Sequence, residues 1–346
     1  MRIIEVHGRL SVSRILVGER FQNIKKYIEP RKTVIITDRN VYRHYAGDFP
    51  SSKSILLQSG EPSKTLETVQ RIYRELLNRG ADRSSFILGI GGGVVCDIAG
   101  FAASTYMRGV KYGFVSTSLL SQVDASVGGK NGVNFEGYKN IVGVFNQPEF
   151  VICDPRLLRT LPRKEVFNGF AEVIKQGLIG DPELLKILED QTEQALALET
   201  KLMTRIIHDA VQVKAAIVRE DEREAGRRKL LNFGHTLAHG LEKVYRLSHG
   251  QAVSVGMIFA LRLSLKKGIL KSEGVLERLA RLLRRFHLPT SLRKDLRPVF
   301  AAMAKDKKRT GEVIDFVLLG DIGRPCLHQI PLSSLEEECL DLYQPS

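Results

Sequence analysis

The 346-residue sequence has no tryptophan and only four cysteines. Cys96, Cys153, Cys326 and Cys339 lie far apart with no CxxC pair, which excludes a zinc knuckle or a disulfide framework as the organising device. No apolar run approaches the ~18–20 residues that cross a bilayer; the stretch Val253–Leu261 is stopped by Arg262. The first ten residues set Arg2, Glu5, His7 and Arg9 among apolar ones. They lack a signal-peptide core, so a cytosolic (cytoplasmic) location is expected. Internal repeats and low-complexity segments are missing too. Acids are in the minority: 39 Asp and Glu face 52 Lys and Arg, a net charge of +13.

With 43% hydrophobic and 26% charged residues, the chain can bury a large core and is not a disordered polymer. At ~150 residues per domain its length suits two domains. The cationic excess fits nucleic acid, an acidic membrane surface or a small anionic substrate. Its densest runs are Arg281–Arg285 and Lys305–Arg309. Without an aromatic stripe or zinc-finger spacing, nucleic-acid binding rests on charge alone. Most of these cations read as solvated helix faces, and a few as an anion pocket. The expected partner is a small molecule, neither nucleic acid nor membrane.

The first half alternates short apolar runs with amphipathic ones. Strands are expected at Thr33–Asp38, Ser54–Leu57, Ser85–Ile90, Gly113–Thr117 and Phe150–Asp154. Between the second and third, Thr65–Arg79 lines Leu66, Val69, Ile72, Tyr73, Leu76 and Leu77 along one helix face. Such alternation means βαβ units and a parallel sheet. Beyond Pro155 the period changes to three and four, and strand-like runs are nearly absent apart from Val313–Leu319. The expectation is an α/β Rossmann-like nucleotide-binding domain over 1–155 and a mainly α-helical domain over 156–346.

Three motifs carry chemistry. Strand Phe86–Ile90 runs into Gly91-Gly92-Gly93 and then a helix, so backbone N–H groups and a helix N-terminus are available to a phosphate. This is neither GxGxxG nor a P-loop; a plain tight βα turn is the alternative. Asp38, ending an upstream strand, sits where an acid binds a ribose hydroxyl. Ser116–Asn134, continuing to Gly137–Asn140, is rich in small polar residues and reads as a long loop. Within it, Lys130 and Lys139 lie among glycines, suited to a phosphate or pyrophosphate or simply to a flexible surface. Finally, His235 and His239 are four apart on one helix face, His249 starts another helix ten residues on, and Glu172 and Lys175 stand in an apolar helix. Two His and one carboxylate with an open position make a catalytic zinc-type site; a core-satisfied HxxxH pair and a surface ion pair are the plainer alternatives.

Taken together, Gly91–Asp97, Tyr106–Gly109, Ser116–Asn140, Gln147-Pro148, Ala171–Lys175, Leu231–His239 and His249–Met257 resemble the 3-dehydroquinate synthase family of sugar-phosphate cyclases, in that family's order over about two-thirds of the chain. The resemblance implies an NAD-binding α/β domain, a helical metal- and substrate-binding domain, and an active site in the cleft. It implies NAD as a regenerated cofactor, one divalent metal (zinc or cobalt), and a homodimer. The substrate would be an anionic sugar phosphate, 3-deoxy-D-arabino-heptulosonate 7-phosphate.

Matched to the family motif, Glu172, His235 and His249 are the implied metal ligands. Lys175 and Asn232 would hold substrate hydroxyls, and His239 would assist proton movement. Lys130 with Asn140 would hold the phosphate; Lys139 and Asp124 would lie near cofactor and active centre. Lys214 and Arg228 would bind the substrate carboxylate. Arg108 would reach the phosphate from a neighbouring subunit, and either Lys307 or Lys308 would add a further cation. Asp38, Glu61, Lys64, Gly92, Gly93, Asp97, Thr117, Ser118 and Thr160 fall at NAD positions, beside Lys130 and Lys139. One departure is Gln251, usually Glu in the family, which implies the loss of an acceptor behind the metal ligands. A cyclase of the 2-deoxy-scyllo-inosose synthase type would not need Lys214, Arg228 and Asn232. A polyol dehydrogenase of the glycerol dehydrogenase type would not need Lys130, Lys139 and Arg108.

Overall fold

The computed structural model describes every residue except 9–10, 52, 308–311, 341 and 343–346, and only the backbone of 304–307 and 339. The alternating runs of the first half build one sheet from β1 (Arg2–His7), β2 (Val12–Val17), β3 (Thr33–Asp38), β4 (Ser54–Leu57), β5 (Phe86–Gly91), β6 (Lys111–Ser116) and, beyond a hairpin of β7 (Lys130–Phe135) and β8 (Tyr138–Phe145), β9 (Phe150–Cys153). Its order is β1-β2-β9-β6-β5-β3-β4. Only the edge pair β1/β2 is antiparallel. The five expected strands all form. Strands β1, at one edge, and β2, inside it, are additional: β1 alternates buried Ile4 and Val6 with exposed residues, a pattern too short and too charged to stand out.

Helices α1 (Arg39–Tyr45), α2 (Leu66–Asn78) and α3 (Gly93–Thr105) connect these strands. Thr65 caps α2 by accepting from Thr68 N–H, and Val69, Ile72 and Leu76 are its buried stripe. Leu16, Phe21, Ile35, Leu88, Ile90, Val115, Phe150 and Ile152 form a core on the sheet. After β3 the chain steps outward to β4, then returns to lay β5 on the opposite side of β3. This reversal is a topological switch point, where open α/β sheets bind ligands beyond the carboxyl ends of their strands. Asp38 and Gly91–Gly93 are at those ends.

The remaining elements are α4 (Arg163–Gly180), α5 (Pro182–Asp190), α6 (Thr192–Leu196), α7 (Thr200–Glu220), α8 (His235–Tyr245), α9 (His249–Lys266), α10 (Gly274–Arg285), α11 (Arg297–Lys307), the hairpin β10 (Val313–Asp321) and β11 (Arg324–Pro331), and α12 (Leu335–Leu340). Packing divides the chain into two units: Met1–Val166 with Thr200–Arg223, and Phe167–Glu199 with Glu224–Ser346. Helix α7 thus packs with the sheet-bearing unit although it follows three helices in sequence. On α10, Leu282 and Leu283 are buried while Arg281, Arg284 and Arg285 are exposed, so that basic run is a solvated helix face.

The segment 116–140 is not the long loop its composition suggested. It holds a single π-helical turn, Ser121–Ala125, and most of the β7–β8 hairpin. The small residues serve close strand pairing: a Cβ on Gly132 would lie 2.7 Å from the Val142 carbonyl oxygen. Among the described residues no helix is long and apolar enough to cross a membrane.

Candidate active site

In the second unit, three helices converge on one point. Glu172 lies within α4, fully buried; His235 and His249 are the first residues of α8 and α9. Glycines beside the histidines let the backbones meet. Gly234, in the left-handed region at φ +78°, turns the chain into α8, and a Cβ on Gly256 of α9 would stand 2.0 Å from its carbonyl oxygen. A Cβ on Gly250 would stand 2.4 Å from Asn168 Cα of α4. No other residue type fits these crossings.

His235 Nε2 lies 3.4 Å and His249 Nε2 3.2 Å from Glu172 Oε1, and one ligand atom of each residue is within 4.8 Å of the others. Behind them, His235 Nδ1 is 3.2 Å from the Phe233 carbonyl oxygen, and His249 Nδ1 is 2.8 Å from Glu242 Oε1. A carbonyl or ionised carboxylate only accepts, so each Nδ1 carries a proton, and each Nε2 is turned toward Glu172. Three electron-rich atoms around one point call for a cation between them. Two imidazoles and a carboxylate are the donor set of a catalytic zinc-type site, so the residues fit such a metal. Without it, a proton fills the role: burial opposes charge on His249, but hydrogen bonds to Glu172 and Glu242 outweigh it and push the imidazole up to about 10. Burial likewise opposes charge on Glu172, yet Lys175 and His235 hold its carboxyl well below the ordinary range. Lys175 Nζ is 2.5 Å from Glu172 Oε2 and its side chain is 2% exposed, so this is a buried pair rather than a surface one. The His239 ring is 5.7 Å from that of His235, edge to face.

Gln251 does not stand behind Glu172, His235 or His249. Its Oε1 accepts from the Ser248 N–H at 3.2 Å and the Ser248 hydroxyl at 2.9 Å, capping α9. The amide supplies that acceptor as a carboxylate would, and the acceptor behind His249 is Glu242. The expected deficit therefore does not arise.

In the first unit, the glycine turn presses against neighbouring side chains. A Cβ on Gly91 would lie 2.5 Å from Val95, on Gly93 3.1 Å from Ala125 Cβ, and on Gly92 3.3 Å from Ser118 Oγ. Thr117 N–H donates to the Gly91 carbonyl at 2.9 Å, and Ser118 and Ser121 hydroxyls are 3.0 Å apart. Among the described residues no side chain caps α3, as at helix ends that receive anions. Lys64, 4% exposed, pairs with Asp97; burial raises the Asp97 carboxyl above its ordinary value in spite of that cation. Glu61 accepts from Asn134 Nδ2 at 2.7 Å, and Asn134 Oδ1 accepts the Asn140 N–H at 2.9 Å. Lys214 Nζ donates to the Asp124 carboxylate at 2.5 Å and its carbonyl at 2.7 Å. Asp38 Oδ1 caps α1, accepting from the Asn40 and Val41 N–H groups. Thr160 Oγ1 is 2.7 Å from the Tyr45 hydroxyl. Lys130 opens β7 and Lys139 lies in β8, both exposed.

Arg108 is exposed and strained. It and Met107 both adopt left-handed φ, 68° and 49°, which neither residue type favours. The turn is held by Tyr106, whose hydroxyl donates to the Ala81 carbonyl at 2.8 Å, and by Gly109 N–H on the Tyr106 carbonyl at 2.8 Å.

Arg228 is 2% exposed. Asn232 Nδ2 donates to Glu224 Oε1 at 2.8 Å. The backbone of Lys307 ends α11; its side chain, and Lys308 altogether, lie outside the described residues. Sequence reasoning missed Glu224 and Glu242. For Glu242 a signal existed: it is seven residues from His235 and three from His239, on the same helix face.

Comparison with known proteins places these geometries in a family. The 3-dehydroquinate synthase N-terminal model matches residues 54–168 and the C-terminal model residues 169–309. The 3-dehydroquinate synthase of Streptococcus thermophilus (strain LMD-9) is 40% identical over 328 residues, 91% of this chain and 92% of that protein. That of Dehalococcoides mccartyi (strain 195) is 43% identical over 331 residues, 92% of each. Among solved structures, 2-epi-5-epi-valiolone synthase from Streptomyces hygroscopicus, with NAD+ and Zn2+ bound, superposes with TM-score 0.86 at 26% identity, covering 98% of both chains. A 2-deoxy-scyllo-inosose synthase with NAD+ and Co2+ gives the same TM-score at 24% identity, covering 98% of this chain and 99% of that one. With both halves of the family model in order and such identity over nine-tenths of its length, the chain belongs to the 3-dehydroquinate synthase family.

Proposed function

We propose that this chain is a 3-dehydroquinate synthase, converting 3-deoxy-D-arabino-heptulosonate 7-phosphate to 3-dehydroquinate and inorganic phosphate in aromatic amino acid biosynthesis. The observation that carries the reading is the pair of histidines whose Nδ1 atoms face a carbonyl and a carboxylate while their Nε2 atoms converge on buried Glu172. When bound, NAD supplies a hydride acceptor that is repaid within the turnover, and a divalent cation held by Glu172, His235 and His249 polarises a substrate hydroxyl.

The chain's own residues bind and orient. Lys175 and Asn232 are assigned to substrate hydroxyls; their partners Glu172 and Glu224 fix where their donors point. Arg228 and Lys214 are assigned to the carboxylate, where a guanidinium offers a bidentate fork. Asp124 keeps the Lys214 ammonium in place. Lys130, Asn140 and, from a second subunit, Arg108 are assigned to the phosphate, with Lys139 nearby and Lys307 or Lys308 as a further cation. Cations around a dianion stabilise it as it departs. His239, next to His235, is assigned to proton movement. Asp38, Glu61, Lys64, Gly92, Gly93, Asp97, Thr117, Ser118 and Thr160 are assigned to NAD, which the switch point of the sheet and the uncapped start of α3 support. The proposal includes a homodimer in the cytosol, with neither nucleic acid nor membrane as partner.

The test incubates zinc- or cobalt-loaded protein with the heptulosonate phosphate and NAD, following inorganic phosphate and 340 nm absorbance together (the usual wavelength, roughly that of reduced nicotinamide). Phosphate release without net NADH is expected, and the variant His235→Ala, folded as judged by circular dichroism, should release none. Accumulating NADH would make the protein a dehydrogenase instead.

A further inference from the structure

The proposed metal site has a feature beyond its ligands. Glu242 comes from the same helix as His235, seven residues on, so one face of α8 offers a ligand at its start and a carboxylate two turns later. Its side chain is 7% exposed, and Oε1 lies 2.8 Å from His249 Nδ1. On the other edge of the ring, His249 Nε2 lies 3.2 Å from Glu172 Oε1. The imidazole is therefore clamped between two carboxylates on two helices, while its own backbone opens a third.

We propose that Glu242 is a positioning residue: it fixes His249 as the tautomer protonated at Nδ1 and holds the ring so that the Nε2 lone pair meets Glu172 and His235. An imidazole without such an acceptor distributes its proton over both nitrogens and rotates about χ2, and the Nε2–H form cannot ligate. Acceptors on metal-bound histidines typically contribute 10–100-fold in affinity. His235 needs no carboxylate for this, because the rigid Phe233 carbonyl already takes its Nδ1 proton. His249 opens its helix, and the Gln251 and Asn168 side chains bond to Ser248, the residue before it.

This rests on the metal reading above, and the experiment separates the two. Metal-free parent, Glu242→Gln, Glu242→Ala and His235→Ala are titrated with Zn2+ against a chromophoric chelator, and the Co2+ forms are recorded by visible absorption. Glu242→Gln is isosteric but can turn its NH2 toward Nδ1 and admit the wrong tautomer. It should keep the parent's metal-free unfolding temperature within a few degrees, weaken zinc binding about tenfold and alter the cobalt bands. Glu242→Ala should weaken binding more; should it not fold, Glu242→Gln decides alone. Parental affinity and an unchanged cobalt spectrum in Glu242→Gln overturn the positioning role while leaving the metal site standing. A parent that binds no metal, or His235→Ala that binds as well as the parent, overturns the metal reading and this inference with it.

Discussion

At the scale of single residues, buried charges such as Lys64 with Asp97, Lys175 with Glu172 and Lys214 with Asp124 come in pairs. Lys64 and Asp97 illustrate the cost. Lys64 is 4% exposed, and burial already raises the Asp97 carboxyl despite its cation. Replacing Lys64 by Met leaves that carboxylate without its counter-charge. The expected loss is about 2–3 kcal/mol, less than the ~3–5 of a fully buried pair because the Asp97 side chain keeps 19% of its surface. Adding Asp97→Asn removes the orphaned charge, so the double variant should recover a large part of the loss in urea unfolding. Additive losses would mean that the two side chains do not stabilise one another. The same pairing logic explains what the sequence disclosed about the site. Histidines beside glycines, and Glu172 with Lys175 in an apolar helix, were conspicuous because each breaks its local pattern. Glu242 showed only through its spacing from His235 and His239, and Glu224 not at all, since a carboxylate on a loop looks like any solvated acid until its partner is known.

Helices and strands were legible where periodicity speaks and opaque where close approach decides. The buried run Thr33–Asp38 and the amphipathic Leu66–Asn78 announced themselves. The β7–β8 hairpin did not, because Gly132 and its neighbours make its composition that of a loop. Two predictions belong here. Gly256→Ala puts a methyl 2.0 Å from the Gly234 carbonyl oxygen, and a backbone atom has nowhere to go. Denaturant unfolding should show a loss at the upper end of the ~1–3 kcal/mol that overpacking costs. Because the displaced helices carry His235 and His249, zinc affinity should fall as well; normal affinity would show the crossing to be looser than drawn.

The second concerns the turn Phe21–Lys26. Glu19 accepts from the Arg20 N–H, Asn23 Nδ2 and the Tyr27 hydroxyl. Burial opposes its charge, yet those bonds carry its pKa below the ordinary 4.5. A lowered carboxyl pKa contributes stability that is present above the unfolded value and lost as pH falls through the folded one. Glu19→Gln should therefore lower the unfolding temperature most near neutrality, and the gap from the parent should close below pH 4.5. A gap independent of pH would assign the effect to packing rather than to charge.

For the whole molecule, chain order and packing order differ. Periodicity tells what a segment is, not what it packs against: α7 reads as one more helix of a helical half, yet its buried Ile206, Ile207, Ala210 and Val211 belong to the unit that contains the sheet. The excess of cations likewise says nothing of where they gather, and the proposed role of Arg108 is the one that a second subunit would test. Its consecutive left-handed turn with Met107 holds an exposed guanidinium in place at a cost of roughly 1–3 kcal/mol per strained residue. If the arginine serves the phosphate site of a second subunit, two inactive variants should complement. Arg108→Ala lacks the donated arginine but keeps its own metal ligands; His235→Ala has the reverse defect. Co-refolded in equal amounts, half of the dimers are mixed, and each mixed dimer has one complete site, so about a quarter of parental phosphate release should return. An arginine acting within its own subunit predicts no recovery at all, since every site in every dimer would then lack one of the two residues.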